Sequence, residues 1–273
     1  MKKYILINAI FLLTIGLMLL VSSTFGQSSN EFSIPLSDPA KRGRIKAIIN
    51  HGSVTIKGTA RKDVLVKYTT EDDDEDESKD TKNGLRRIGS GGMDLEVTEN
   101  ENTVSVHSGS WNSRLKLEIE VPSGMDVTAK THNDGDLVVS NIQGEAELTN
   151  HNGEITALNI SGAVIATTYN GEIKISLDKA KEGSPMSFTT YNGDVDVTFP
   201  AATKGTLKMK TERGDIYSDF DVVFKNAAPV QKKESTAGVY RVVVDEWKRG
   251  DINGGGPEIT FRTYNGDIFV RKK

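Results

Sequence analysis

Apolar and polar residues alternate over short stretches of the chain. The runs 173–177 (Ile-Lys-Ile-Ser-Leu) and 195–199 (Val-Asp-Val-Thr-Phe) each carry an apolar side chain at every second position. A period of two is typical of a β-strand that buries one face. Because no stretch shows the longer period of an amphipathic helix, the pattern predicts an all-β protein.

A six-residue motif precedes these strands and recurs along the chain. Its full copies join an Asn-Gly pair to an acidic and then an aliphatic residue, and they occupy residues 150–155, 168–173, 190–195 and 263–268. Looser copies begin near residues 50, 131 and 211. From Gly135 to Gly214 the motif glycines follow at intervals of 18 to 22 residues, and the 52-residue interval before Gly266 must contain an insertion.

A second turn, Asn-Ile-x-Gly, occurs half a period away, at residues 141–144 and 159–162. Asn-Gly between alternating strands is also a strong hairpin signal, so an antiparallel β-meander or a sandwich is the alternative fold. The constant phase of the repeat favours a parallel β-solenoid, because its coils stack about 4.8 Å apart and bring like residues together. The sequence therefore predicts a parallel β-solenoid with repeats of about 18–22 residues.

In such a solenoid the turn residues have a structural role. Stacked asparagine side chains would bond from coil to coil, and the glycines would supply the backbone conformations that a tight corner needs. The turn residues predicted on this basis are Asn152, Gly153, Asn170, Gly171, Asn192, Gly193, Asn265 and Gly266.

The N-terminus has the layout of a secretory signal peptide. Residues 1–26 contain two lysines, an apolar run at 4–21 and then small residues at a cleavage site. An uncleaved anchor is the alternative, since this run approaches the length that spans a bilayer. We expect a linker at 27–43 and a single β-solenoid domain at 44–273, with an acidic loop insertion at 71–92. The protein would then be exported to the periplasm, the outer surface or the medium, with no membrane span after cleavage.

Composition narrows the chemistry further. There are 34 basic and 38 acidic side chains, a formal charge of −4, which argues against a general nucleic-acid binder. The absence of cysteine excludes disulfides, thiol nucleophiles and a lipid anchor on an N-terminal cysteine, so the protein is not a lipoprotein of that kind. Because nucleophile elbows, phosphate loops and zinc-protease motifs are also absent, we expect no catalytic residue, metal or cofactor.

The order of elements that follows residue 117 resembles a known family. Residues 117–127 (Leu-Glu-Ile-Glu-Val-Pro-Ser-Gly-Met-Asp-Val) lead into Gly-Asp-Leu, Asn-Ile-Gln-Gly and the serial Asn-Gly-Glu-Ile turns. This order is similar to exported bacterial β-solenoid domains of unknown function that are called adhesins, akin to the head GIN adhesin-like domain. The resemblance covers roughly residues 44–273, and the acidic insertion and the broken spacing after Gly214 depart from it. It implies a β-helical envelope protein without known chemistry.

The acidic residues of the motif offer one candidate chemistry. Glu154, Glu172, Asp194 and Asp215 would stack along one edge of the solenoid. Paired carboxylates could serve a polysaccharide lyase or hydrolase, which makes an enzyme the least favoured of three functions. Because an acid recurs in nearly every copy, the simpler interpretation is that it belongs to the turn consensus.

A second column precedes the asparagines and is mostly aromatic. Exposed rings one coil apart could stack on sugar rings, or they could merely shield the asparagines. The candidate binding residues are His151, Tyr169, Tyr191 and Tyr264, and His51, His132 and Glu212 hold the same motif position. Metal binding by His132 and His151 would need a third ligand, which nothing in the sequence marks.

Together these patterns predict an exported, non-enzymatic cell-envelope protein that binds glycans or proteins in the manner of an adhesin. The alternative is a structural module that self-assembles through its open ends or edges. The oligomeric state is not predicted. The seven consecutive acids at 71–77 are expected to form a solvated loop.

Overall fold

The computed structural model describes residues 30–71, 81–82, 85–86, 94–111, 114–225, 230–236, 239–245 and 247–273. The predicted signal peptide lies outside these ranges, and so does most of the predicted acidic insertion. Residues Glu31–Lys273 form one compact unit.

The described residues form strands and turns only, as the alternating pattern predicts, and none of them belongs to a helix that could cross a membrane. In chain order the strands are β1 (Glu31–Pro35), β2 (Arg44–Ile49), β3 (Gly52–Thr59), β4 (Asp63–Glu71), β5 (Thr81–Lys82), β6 (Leu85–Arg86), β7 (Glu96–Asn100), β8 (Thr103–Ser108), β9 (Arg114–Pro122), β10 (Asp126–Lys130), β11 (Leu137–Ser140), β12 (Ala146–Thr149), β13 (Ile155–Ile160), β14 (Val164–Thr167), β15 (Ile173–Leu177), β16 (Met186–Thr189), β17 (Val195–Phe199), β18 (Gly205–Lys210), β19 (Ile216–Ser218), β20 (Val223–Phe224), β21 (Val230–Thr236), β22 (Val239–Asp245), β23 (Lys248–Ile252), β24 (Glu258–Arg262) and β25 (Ile268–Lys272).

Most strands belong to two long sheets whose central pairs are parallel. The first sheet has the order β1-β4-β9-β3-β11-β13-β15-β17-β25-β19, and the second has the order β20-β23-β18-β24-β16-β14-β12-β10-β2-β8-β7. Two separate hairpins pair β5 with β6 and β21 with β22. Each coil consists of a strand in the second sheet, an Asn-Gly corner or its equivalent, and a strand in the first sheet. The fold is therefore the predicted parallel β-solenoid, and the antiparallel meander is excluded.

The coils do not stack in the order of the sequence. Along the axis the eight coils are β8/β9, β2/β3, β10/β11, β12/β13, β14/β15, β16/β17, β24/β25 and β18/β19. The first coil of the chain and the last one each lie one position inside an end of the stack. The 52-residue interval before Gly266 therefore contains β20 to β23, and β25 returns to a place between β17 and β19.

Antiparallel strands cover three of the four sheet ends among the described strands. At one end of the molecule β4 and β1 extend the first sheet, and β7 extends the second. At the other end β23 and β20 extend the second sheet. The strand β1 falls within residues 27–43, so this segment contributes to the sheet in addition to linking. The first sheet ends at β19.

The core lies between the two sheets and is built from residues in register. Ile155 pairs with Ile173, Ile173 with Val195, and Val195 with Ile268, and all four side chains are fully buried. Each buried aliphatic side chain contributes about 1.5–3 kcal/mol relative to exposure. The repeated motif occupies corners between the two sheets.

Candidate functional site

The asparagines of the motif form a continuous hydrogen-bonded ladder at the corner. The Nδ2 of Asn152 donates to the Oδ1 of Asn133 at 2.8 Å, and that of Asn170 donates to Asn152 at 2.8 Å. Asn192 donates to Asn170 at 2.7 Å, and Asn265 donates to Asn192 at 2.6 Å. The bonds confirm the predicted ladder. Amide ladders of this kind also stabilise stacked strands in cross-β structures.

The glycines after these asparagines admit the next coil. Gly193 has a φ of +138°, and a Cβ on it would overlap the carbonyl oxygen of Gly171 in the adjacent coil. The same overlap would occur at the other full copies, Gly153, Gly171 and Gly266. These positions therefore need glycine both for their backbone angle and for the close approach of the coils.

Threonines at the first position of the motif supply a second set of bonds. The hydroxyl of Thr190 donates to the carbonyl oxygen of Gly171 at 2.9 Å, and that of Thr263 donates to Gly193 at 2.9 Å. Both threonines are buried. No bonding role was predicted for these threonines, although threonine recurs in three full copies of the motif.

The residues before the asparagines form an exposed line of stacked rings, which we call the ring column. Neighbouring ring centroids are 4.5 to 5.2 Å apart along the stack, and the planes lie within 14° of parallel. At one end Trp111 meets His132 edge-on at 5.3 Å, and at the other the guanidinium of Arg213 lies 5.6 Å from the ring centroid of Tyr264. In spatial order the ring column is Trp111, His132, His151, Tyr169, Tyr191 and Tyr264.

The stacking decides which part of each ring meets solvent. Tyr169 and Tyr191 are 46% and 40% exposed, yet each has a neighbouring ring on both faces. What they expose is chiefly the outer edge with its hydroxyl group. Sugar rings therefore cannot lie flat on these faces inside the column, whereas hydrogen bonds to the hydroxyls remain available.

The residues at the two ends of the stacked rings, Trp111 and Arg213, were not predicted from the sequence. Trp111 lies outside every copy of the motif, and Arg213 occupies the asparagine position of a loose copy. Both reach the column only because the coils β8/β9 and β18/β19 lie at the two ends of the stack.

Of two further residues assigned to the same column, His51 differs from the expectation and Glu212 holds its predicted position. His51 pairs in register with Asn133, and its Nε2 lies 2.9 Å from the Oδ2 of Asp134. It therefore belongs to the asparagine column, because its loose copy of the motif is one residue shorter. Glu212 follows Tyr264 in the stack and forms an ion pair with Lys210 at 2.8 Å.

The aspartates of the motif accept hydrogen bonds from the backbone of the next coil. The Oδ1 of Asp194 accepts the N–H of Asp267 at 2.7 Å, and the Oδ1 of Asp267 accepts that of Asp215 at 2.8 Å. Asp267 therefore lies between Asp194 and Asp215, which belong to consecutive copies of the motif in the sequence. These bonds support the interpretation that the acid belongs to the turn.

The pKa of Glu172, one of the acids of the motif, is raised. Partial burial raises the pKa of its carboxyl above the usual value, and the negative charges of Glu154 and Asp194 raise it further. Lys174 opposes the shift. Within the described ranges no group of three or more histidine, aspartate or glutamate side chains could hold a metal ion.

Comparison with known proteins identifies the fold family and does not identify a ligand. A "putative cell adhesion protein" from Clostridium sporogenes is 14% identical, with 90% of this chain and 100% of that chain covered and a TM-score of 0.43. A "putative adhesin" from Bacteroides fragilis is 10% identical, with 91% and 98% covered and a TM-score of 0.34. No curated protein matched the chain. The family model that matches, over residues 87–253, spans more than half of the sequence, and the chain belongs to the Toastrack DUF4097 family.

Proposed function

We propose that the chain is a non-catalytic binding module of the cell envelope and that the ring column is its binding surface. The observation that carries the proposal is the alignment of exposed rings in one uninterrupted line across neighbouring coils. Tyrosine is enriched at recognition surfaces because it offers a large rigid contact and a polar group at little cost in conformational entropy.

Two of the neighbouring acids, Asp194 and Asp267, support binding over hydrolysis. An acid–base pair needs carboxyl groups that are free to face a substrate. The carboxylates of Asp194 and Asp267 instead accept backbone N–H groups of the next coil. The ligands proposed for the ring column are extracellular glycans or envelope proteins, which an exported protein would meet.

The test measures retention of the purified protein on an array of glycans and matrix proteins. We expect dose-dependent retention that falls when Tyr169→Ala and Tyr191→Ala are combined. Tyr217→Ala is the matched control, because Tyr217 is 49% exposed and also stacks on a neighbouring ring, that of Phe269, but lies on the first sheet away from the column. Retention that the paired substitution leaves unchanged would contradict a binding role for the column.

A specific observation also supports self-assembly as a second candidate function. The strand β19 ends the first sheet without an antiparallel strand among the described residues. Next to it lies a cavity of about 680 Å³ whose lining includes Ile216, Val222 and Phe224. Uncovered strand edges are the usual sites of strand addition.

A further inference from the structure

A row of outward-facing side chains accompanies the ring column on the side of the second sheet. Each member lies two residues before a member of the column or its equivalent, and the residue between them points inward. Strand register places these residues side by side from coil to coil. We call them the hydroxyl row after its three central threonines. In spatial order the row consists of Lys130, Thr149, Thr167, Thr189, Arg262 and Lys210.

The hydroxyl row and the ring column run side by side along the solenoid axis, and we call the two together the track. In the coil β14/β15, for example, the track presents the hydroxyls of Thr167 and Tyr169, which are both exposed. The coil β16/β17 presents those of Thr189 and Tyr191. Each of the five coils from β10/β11 to β24/β25 along the axis thus offers one polar group from the row and one ring edge from the column, and these repeat at the coil spacing of about 4.8 Å.

Charge is distributed unequally across the track. The guanidinium groups of Arg262 and Arg213 and the ammonium group of Lys210 lie at the end of the track where β18 and β24 pair. Lys130 lies at the other end, on β10. Two of these cations have carboxylate neighbours, since Lys210 pairs with Glu212 at 2.8 Å and Lys130 lies 3.6 Å from Glu147.

Negative charge collects on the opposite side of the ring column. The acids of the motif lie there, beyond the asparagine ladder, and they repeat in neighbouring coils at Asp136, Glu154, Glu172, Asp194 and Asp267. A ligand with acidic groups would therefore be drawn to the threonine and arginine side of the column and repelled from the other side.

We infer that the ring column and the hydroxyl row bind a linear, carboxylate-bearing polysaccharide that lies along the solenoid axis with about one sugar residue per coil. The inference rests on the proposed function and names its ligand class. Ring centroids 4.8 and 4.9 Å apart match the advance of an extended pyranose chain by one ring length per residue. The sugar hydroxyls bond to the threonine and tyrosine hydroxyls, and Arg262 offers the planar donors that carboxylates prefer.

The orientation along the axis has a sharp test in the length of the ligand. Oligogalacturonates of one to ten residues are titrated into the purified protein by calorimetry. We expect the dissociation constant to fall with each added residue until the chain spans the six positions of the track, and then to stay constant. Neutral oligosaccharides of the same lengths should bind at least about tenfold more weakly, because they forgo the charge-assisted bonds.

Single substitutions assign the binding to the track. Tyr191→Ala should weaken binding of the acidic hexamer about tenfold, and Tyr191→Phe, which keeps the stacked ring, should weaken it less. Arg262→Gln should lower the affinity for the acidic hexamer about tenfold and leave the affinity for its neutral counterpart unchanged. Tyr217→Ala, on the first sheet, should bind as the unaltered protein does, and thermal unfolding verifies that each variant is folded.

Several outcomes would overturn the inference while sparing the proposed function. An affinity that stops rising at one or two sugar residues would exclude the axial arrangement. Equal binding of acidic and neutral chains would exclude the role of Arg262 and its neighbours. If no glycan or protein on the array depends on Tyr169 and Tyr191, both the inference and the proposed function fail.

Discussion

At the scale of single residues, the corner of each coil combines three kinds of contact with the next coil. The asparagine bonds side chain to side chain, the threonine bonds to a glycine carbonyl, and the glycine leaves room for the adjacent backbone. A hydrogen bond of this kind contributes about 0.5–1.5 kcal/mol net, so its repetition in coil after coil adds to the stability that the core supplies. The ring column adds stacking contacts of about 0.5–1.5 kcal/mol per pair.

The corner glycine should be the least replaceable residue of the motif. Gly193→Ala should destabilise the protein by about 3 kcal/mol or more, because the new Cβ combines a strained φ of +138° with overlap of the Gly171 carbonyl oxygen. Urea unfolding measures the change. The control is Gly124→Ala, since a Cβ on Gly124 would meet no atom within 4 Å. Equal stability of the two variants would contradict the close approach of the coils.

The raised pKa of Glu172 makes a prediction about pH. The folded protein holds the proton of this carboxyl more tightly than the unfolded chain does, so the group favours folding when it is protonated, below the unfolded pKa near 4.5. That contribution is lost as the pH rises through the folded pKa. Glu172→Gln should therefore raise the melting temperature at pH 7 and make little difference near pH 4. The control is Glu96→Gln, at an exposed position of β7 in the second sheet; a similar gain there would point to a general effect of charge.

At the scale of elements, the solenoid is closed by strands that return from distant parts of the sequence. The last coil, β24/β25, fills a place between β16/β17 and β18/β19, and the first coil, β2/β3, is enclosed in the same way at the other end. Phe261 in β24 lies 5.2 Å from Phe188 and 6.3 Å from Phe199, measured between ring centroids. The last coil is therefore an interior layer of the core, although it ends the chain.

Removing the last coil should therefore unfold more than the residues removed. Deletion of residues 258–273 removes β24 and β25, which pair with one edge of β16 and of β17, and exposes the phenylalanine cluster, so we expect loss of the cooperative thermal transition measured by circular dichroism. Deletion of residues 1–30 is the control, because Glu31–Lys273 form a compact unit, and it should keep that transition. A cooperative transition after the C-terminal deletion would show that the remaining coils close without the last one.

At the scale of the whole molecule, the two ends of the stack differ. At the β8/β9 end both sheets carry antiparallel strands, and β1 there includes a proline and an ion pair between Glu31 and Lys67 at 3.7 Å. Prolines and charges at an edge are common protections against strand addition. At the other end β19 lies at the limit of the first sheet, beside the exposed side chains of Tyr217 and Phe224. Any association through strand edges is therefore expected at this end.

The second candidate function makes a prediction that sedimentation velocity can check. If self-assembly is the function, the sedimentation coefficient should rise with protein concentration, and Tyr217→Lys should suppress the rise because a charge at an edge opposes strand addition. Tyr191→Lys, in the ring column, should leave the rise unchanged. A single monomeric species at all concentrations would reject self-assembly and leave binding at the ring column as the function.

The sequence by itself determined the coil and its repetition. Alternation predicted the strands, and the constant phase of the Asn-Gly motif predicted parallel coils with Asn152, Asn170 and Asn192 in one ladder. These features depend on interactions that are the same in every repeat, so one sequence shows them several times.

Only the tertiary structure decided the order of the coils and the geometry of the candidate site. Strand partners such as β17 and β25 are distant in sequence, and no local pattern states which coil lies next to which. That order places Tyr264 on Tyr191 and Arg213 beyond Tyr264, and it brings Trp111 to His132. The rings expose edges because each face meets the ring of another coil. The physical reason is that the pairing of distant strands depends on the packing of the whole stack, which no single repeat contains.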